Sequence, residues 1–287
     1  MSDPELIVAL DDRARLAAAV LAASQWPTQE QAQLRHAVHP HAKQTRQQVQ
    51  AQADHPAVRG ANAALIAGRP PDVLFTAALR CSWPDFAPQE PLPTNLDDWA
   101  AALPSFAAET AVIPFWAAHA AAWQEALTDL TAIFAASRLP AFLGRLAGRP
   151  LPLPIVVQPN LVFPALHSVL AETAVALHLL LPPPKAVGES PPWPYREGPD
   201  GVLAESCRRL LHHALAADLA TRPPAAQQLI EHAAITLFLE QTLDEAEALA
   251  YMVRSKKQFN LPRLPLTVEE MRGCFEADGQ SLANLAF

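Results

Sequence analysis

Proline is the feature that most limits what this chain can fold into. Twenty-nine prolines run through 287 residues, against only nine glycines. Each proline fixes its own φ and lacks a backbone N–H, so it starts or ends helices and disrupts their interiors. The text between the prolines is rich in alanine, a strong helix former. The pairing of scarce glycine with abundant proline predicts helices punctuated by rigid connections.

The remaining totals narrow the class. The length accommodates one large domain or two ordinary ones, and 51% hydrophobic residues describe a folded chain. Lys and Arg number 21 against 29 Asp and Glu, a net charge of −8. An acidic chain without a basic stripe is a poor partner for nucleic acid or an anionic membrane. Cys81, Cys207 and Cys274 are widely separated and form no CxxC pair, which argues against a disulfide framework or a cysteine zinc site. The N-terminus, MSDPELIVALDDRAR, is acidic where a signal peptide carries basic residues. No apolar run approaches the roughly 20 residues of a membrane span. These features predict a cytoplasmic protein.

Along the chain, Asp3-Pro4-Glu5 reads as a helix start. His36, His39 and His41 lie close together, but no carboxylate or cysteine completes a ligand set, so they read as a polar helix face. The clearest periodicity follows. Ile113, Trp116, Ala120, Trp123, Leu127, Leu130 and Phe134 step by three and four, the stripe of one long helix. Such a stripe reads as core; left exposed, it would serve homo-oligomerisation. The character changes at Pro150. Leu153 to Val157 reads as a strand, and alternation from Thr173 to Leu181 suggests a second, with His178 opposite Leu177 and Leu179. The boundaries expected are a helical region over 1–149 and an α+β region over 150–287, or one continuous domain.

A proline-rich connection then leads to the central helix, Gly201 to Thr221, with Asp200 as its expected N-cap. Trp193 and Tyr195 in that connection either anchor it to the core or close a groove over the helix. Leu203, Cys207, Leu210, Leu211 and Ala214 share one side of the helix; Glu205, Arg208, Arg209 and His212 share the other. A second long helix is expected from Gln227 to about Lys257, with Ile235, Phe238, Leu239, Ala246, Leu249 and Val253 on its apolar side.

The order of strand, proline-marked loop, helix and glutamate-rich helix carries a resemblance. The text HLLLPPPKAVGESPPWPYREGPDGVLAESCRRLLHHAL, followed by EHAAITLFLEQTLDEAEALAYM, resembles bacterial proteins with a degenerate gluzincin-like region. Gluzincins are zinc metallopeptidases, and the resemblance covers roughly residues 150–273. It implies a small sheet plus two long helices, hence a predominantly α-helical α+β fold. In that family an HExxH helix supplies two histidine ligands and the base. Here every register fails. His212 would need a histidine at 208 and a glutamate at 209, where Arg208 and Arg209 stand; His213 meets Arg209 and Leu210.

Two guanidiniums in place of ligands would repel a divalent cation. The expected protein is therefore a catalytically inactive, metallopeptidase-like pseudoenzyme without a cofactor. It would bind a peptide or protein partner in a remnant cleft lined by Trp193, Tyr195, Glu205, Arg208, Arg209 and His212. The alternatives are a metal-dependent hydrolase holding zinc through His212, His213, His232 and Glu240, and a structural protein that forms a homo-oligomer. No G-x-S-x-G elbow, P-loop or dinucleotide fingerprint occurs.

Overall fold

The computed structural model describes residues 5–184 and 193–276. Asp3 and Pro4, read as a helix start, lie outside these residues, as does Lys185–Pro192 of the proline-rich connection. The chain opens with strand β1 (Leu6–Val8), then α1 (Asp12–Ala23), α2 (Trp26–Gln33), α3 (Pro40–Val49), α4 (Pro56–Ile66) and α5 (Asp72–Leu79). Next come α6 (Asp97–Ala101), α7 (Leu103–Glu109), α8 (Val112–Ala118), α9 (Ala120–Phe134) and α10 (Leu139–Ala147). Strands β2 (Ile155–Pro159), β3 (Val169–Glu172) and β4 (Leu177–Leu181) follow. The chain continues through α11 (Pro199–Ala214), α12 (Ala216–Ala220), α13 (Pro224–Thr242), α14 (Glu245–Gln258) and α15 (Leu264–Glu276). This is a predominantly helical α+β protein with one small mixed sheet. Among the described residues no single helix is long and apolar enough to cross a membrane.

Proline does what its chemistry dictates. Helices α2, α3, α4, α7, α10 and α13 each carry it in their first two positions, where a missing N–H costs nothing. Two of these starts reveal what the N-terminal histidines do. His39 and His55 each precede such a proline, and each ring Nδ1 accepts from the backbone N–H two residues on, at 3.2 and 3.1 Å. They are helix caps.

Two compact units emerge, drawn from interleaved stretches. A sheet unit takes Ile7–Ala132 and Val156–Gly198; a helical unit takes Met1–Leu6, Ile133–Ile155 and Pro199–Phe287. Most of the strand residues therefore cluster with the N-terminal helices, and α10 joins α11 to α15 in the other unit.

In the sheet unit the strand order is β1-β2-β4-β3, with β3 and β4 antiparallel. The alternation read as one strand from Thr173 is a hairpin, turned where Thr173 Oγ1 meets the backbone of Ala176. All five residues of β4 are buried, because it is an inner strand. His178 is consequently inside, 3.0 Å from Gln158, and burial lowers its pKa. Nine of the twelve residues of α1 are buried, the signature of a helix packed all round. Its cap, Asp11, also grips the Arg13 guanidinium, which donates to the carbonyls of Leu79 and Cys81 at 2.7 and 2.8 Å. Burial pushes the Asp11 carboxyl up, yet the hydrogen bonds and charge of Arg13 outweigh it and hold the carboxyl below its usual value.

The expected long aromatic helix is two helices, broken at His119 between α8 and α9. Its stripe still faces inward at Trp116, Trp123, Leu130 and Phe134, while Ile113 is exposed. Trp116 and Trp123 converge on Arg15, whose guanidinium carbon lies 4.2 and 4.5 Å from the two ring centres. Trp123 Nε1–H donates to Nε2 of buried His41 at 2.9 Å. An accepting Nε2 places the His41 proton on Nδ1, which has no partner among the described residues.

Burial, reinforced by the nearby Arg15 guanidinium, pulls the His41 pKa down to about 3. The native state therefore favours the neutral ring. Its stabilising contribution is whole above the ordinary value near 6.5 and fades as pH falls toward 3. Urea unfolding at pH 7 and pH 4.5 should show wild type losing more stability than His41→Gln across that interval. The full window is worth on the order of 5 kcal/mol. Equal losses in both proteins would contradict the assignment.

Candidate functional site

Helix α11 presents its two faces much as its periodicity dictates. Val202, Leu203, Ala204, Ser206, Cys207, Leu210 and Leu211 are buried. Burial raises the Cys207 thiol far above its normal range, so this sulfur is a packing atom and not a nucleophile. Asp200, expected as the cap, sits inside the first turn and pairs with Arg254 at 2.9 Å.

On the polar face, Glu205 holds Arg208 through two bonds, Nε at 2.8 Å and Nη2 at 2.7 Å. One turn on, His212 Nε2 lies 2.6 Å from Glu231 Oε2 on α13. The other oxygen of Glu231 lies 3.9 Å from Nε2 of His232. His232 Nδ1 in turn meets the Tyr251 hydroxyl of α14 at 2.8 Å, and the Phe259 ring stacks on its imidazole at 4.6 Å. One chain of polar groups thus joins three helices: His212, Glu231, His232, Tyr251.

The partners favour one tautomer of each ring. An ionised carboxylate only accepts, so Nε2 of His212 carries a proton. His232 turns Nε2 toward the same carboxylate at 3.9 Å, too far for a hydrogen bond, but the negative charge favours the proton on that nitrogen and leaves Nδ1 to accept from Tyr251 O–H. Burial lowers the His232 pKa; Glu231 opposes that shift and Arg208 reinforces it. Tyr251 is raised by burial, so it remains a protonated donor. Exposure grades along the chain, from 42% for the His212 side chain through 16% for Glu231 to 7% for His232.

The residues expected to line a remnant cleft divide between the two units. Trp193 and Tyr195 belong to the sheet unit; Glu205, Arg208, Arg209 and His212 belong to the helical unit. Tyr195 is 1% exposed, its hydroxyl donating to Leu181 O at 2.5 Å and accepting from Asn160 N–H at 3.2 Å. It acts as an anchor, and it offers no surface to a ligand. Trp193 remains partly exposed.

The alternative zinc set is only partly assembled. His212 and His232 do converge, but on Glu231. Glu240 stands eight residues beyond His232, about 12 Å along the helix axis, and it pairs with Arg272 of α15 at 2.7 Å. His213 follows His212 and projects about 100° away. Among the described residues no group of three or more His, Cys, Asp or Glu side chains is arranged to hold a metal ion.

Sequence reasoning missed Glu231 and gave Tyr251 no partner. A signal existed: His232 begins a run of eight buried residues, and a buried imidazole in such a run requires partners. Which residues answer it depends on how α11 and α14 pack, and helical periodicity does not encode that. No protein-family model, curated protein or solved structure matches this chain. The likeness to gluzincins rests on the quoted residues alone.

The electrostatics of the chain can be checked by substitution. Glu231→Gln removes the charge that raises the His232 pKa, so in an NMR titration the His232 midpoint should move lower still. A midpoint unchanged or higher would show that Glu231 does not act on that ring. Tyr251→Phe removes the donor and should cost about 1 kcal/mol of unfolding free energy; a neutral effect would disprove the bond.

Proposed function

We propose that the protein is a non-catalytic binding protein that holds a peptide or protein partner on the polar face of α11. The observation that carries this reading is the bidentate grip of Glu205 on Arg208. That grip occupies Nε and one Nη2 hydrogen and leaves Nη1 without a partner among the described residues. The Arg208 side chain is 39% exposed, so the fork is both oriented and reachable. An arginine already held in place loses little freedom when it binds main-chain carbonyls or a carboxylate. His212, fixed by Glu231 one turn away, offers a second oriented polar group. Burial of the Cys207 thiol removes the nearest strong nucleophile, which supports binding over covalent chemistry.

A second reading, a metal-dependent hydrolase, draws on Glu231 facing Nε2 of both His212 and His232. The two readings separate by experiment. Random peptides displayed on phage should enrich on the full chain. Synthetic copies should bind wild type in the micromolar range and Arg208→Ala at least tenfold more weakly. No enrichment, or equal binding by the variant, would contradict the proposal. Purified protein that keeps stoichiometric zinc through dialysis, and loses it in His232→Ala, would favour the hydrolase.

A further inference from the structure

Helix α14 is amphipathic in an unusual sense, because it carries a second apolar stripe on its outer face. Inward it buries Ala248 and Ser255, with Tyr251 directed at His232. Outward, Ala246, Leu249, Ala250 and Val253 follow the i, i+3, i+4, i+7 spacing of a helix-packing face, and all four are exposed. Leu249 is 52% and Val253 56% exposed. Two large apolar side chains one turn apart, flanked by two alanines, make a seam that a second helix can approach closely.

The charges beside the seam are ordered. Glu245 and Glu247 occupy its N-terminal end; Lys256 and Lys257 occupy its C-terminal end. None of these four forms an ion pair among the described residues, whereas neighbouring Arg254 is paired with Asp200. A helix that is acidic at one end, basic at the other and apolar between is complementary to itself reversed. A two-fold axis that sets Leu249 against Val253 of a second copy also sets Glu245 against Lys257, since both pairs share one midpoint along the helix. The parallel arrangement would oppose like charges.

We propose that the outer face of α14 is an isologous interface, on which a second copy of this chain docks its own α14 antiparallel. Such an interface is self-complementary and closes at two subunits. One helix face alone buries less than the roughly 1,200–2,000 Å² of a standard interface, so the dimer is weak. The proposal is independent of the α11 binding reading, which uses other residues on another helix.

Sedimentation equilibrium of the full chain, from micromolar to hundreds of micromolar, should show a monomer–dimer equilibrium. Val253→Glu should weaken it at least tenfold, with unchanged circular dichroism. The register is tested by charge exchange. A chain carrying Glu245→Lys and Glu247→Lys should be monomeric, as should one carrying Lys256→Glu and Lys257→Glu, and an equimolar mixture should dimerise. A mixture that stays monomeric, or a dimer indifferent to Val253→Glu, would overturn the proposal. So would a wild type that is monomeric throughout with Leu249 and Val253 methyls shielded from a soluble paramagnetic agent. That result would assign the face to a segment of the same chain.

Discussion

A helix buried on every side cannot leave a polar side chain unanswered, and α13 is such a helix. From His232 to Leu239 it is buried without a break. The apolar members of that run need only be surrounded. His232 needs partners, because an imidazole enclosed without hydrogen bonds forfeits its hydration for nothing in return. Tyr251 of α14, packed against α13, meets one ring nitrogen, and Glu231 of α13 itself, nearer the surface, turns toward the other. Glu231 is then itself half-enclosed and requires a donor, which α11 provides as His212. The packing of one helix thus dictates a polar chain that ends at the protein surface, and the candidate site is its exposed end.

The sheet unit obeys the same constraint with other chemistry. Helix α1 is also enclosed, and the polar groups at its start are bound into the fold: Asp11 to Arg13, Arg13 to two carbonyls, Arg15 between Trp116 and Trp123. Glu30, 2% exposed, accepts from the backbone N–H groups of Ala165 and Leu166 and so holds the β2–β3 connection. These interactions face inward and tie the unit together. In the helical unit the Arg208 and His212 side chains remain open to solvent, and for that reason the functional reading rests there.

Much of the fold was legible. Proline and alanine usage located helix starts, β2 lay where its branched residues indicated, and the buried face of α11 followed from its period. The errors share a cause. The spacing over Ile113–Phe134 and over Gln227–Lys257 predicts a single helix each, and each is broken. His119 interrupts the first; Leu243 and the cap Asp244, whose side chain accepts from Glu247 N–H at 2.9 Å, interrupt the second. Apolar spacing carries across such a break, so periodicity alone does not reveal it. The break at Leu243 also reversed a burial assignment: Leu249 and Val253, expected on the apolar side of one long helix, lie outward on α14. The site was legible as residue types on α11. Its depth was not, because Glu231 and Tyr251 come from helices whose packing angles no spacing rule states.

The polar chain through α13 requires that His232 be a neutral, buried ring whose Nδ1 accepts from Tyr251 and whose Nε2 carries the proton. Nitrogen-15 NMR of the histidine side chains at pH 7 tests it directly. The account predicts that His232 Nδ1 resonates as an unprotonated, pyridine-type nitrogen, with Nε2 protonated, and that Tyr251→Phe shifts the Nδ1 signal. A protonated Nδ1, or an imidazolium averaging over both nitrogens at that pH, would contradict it.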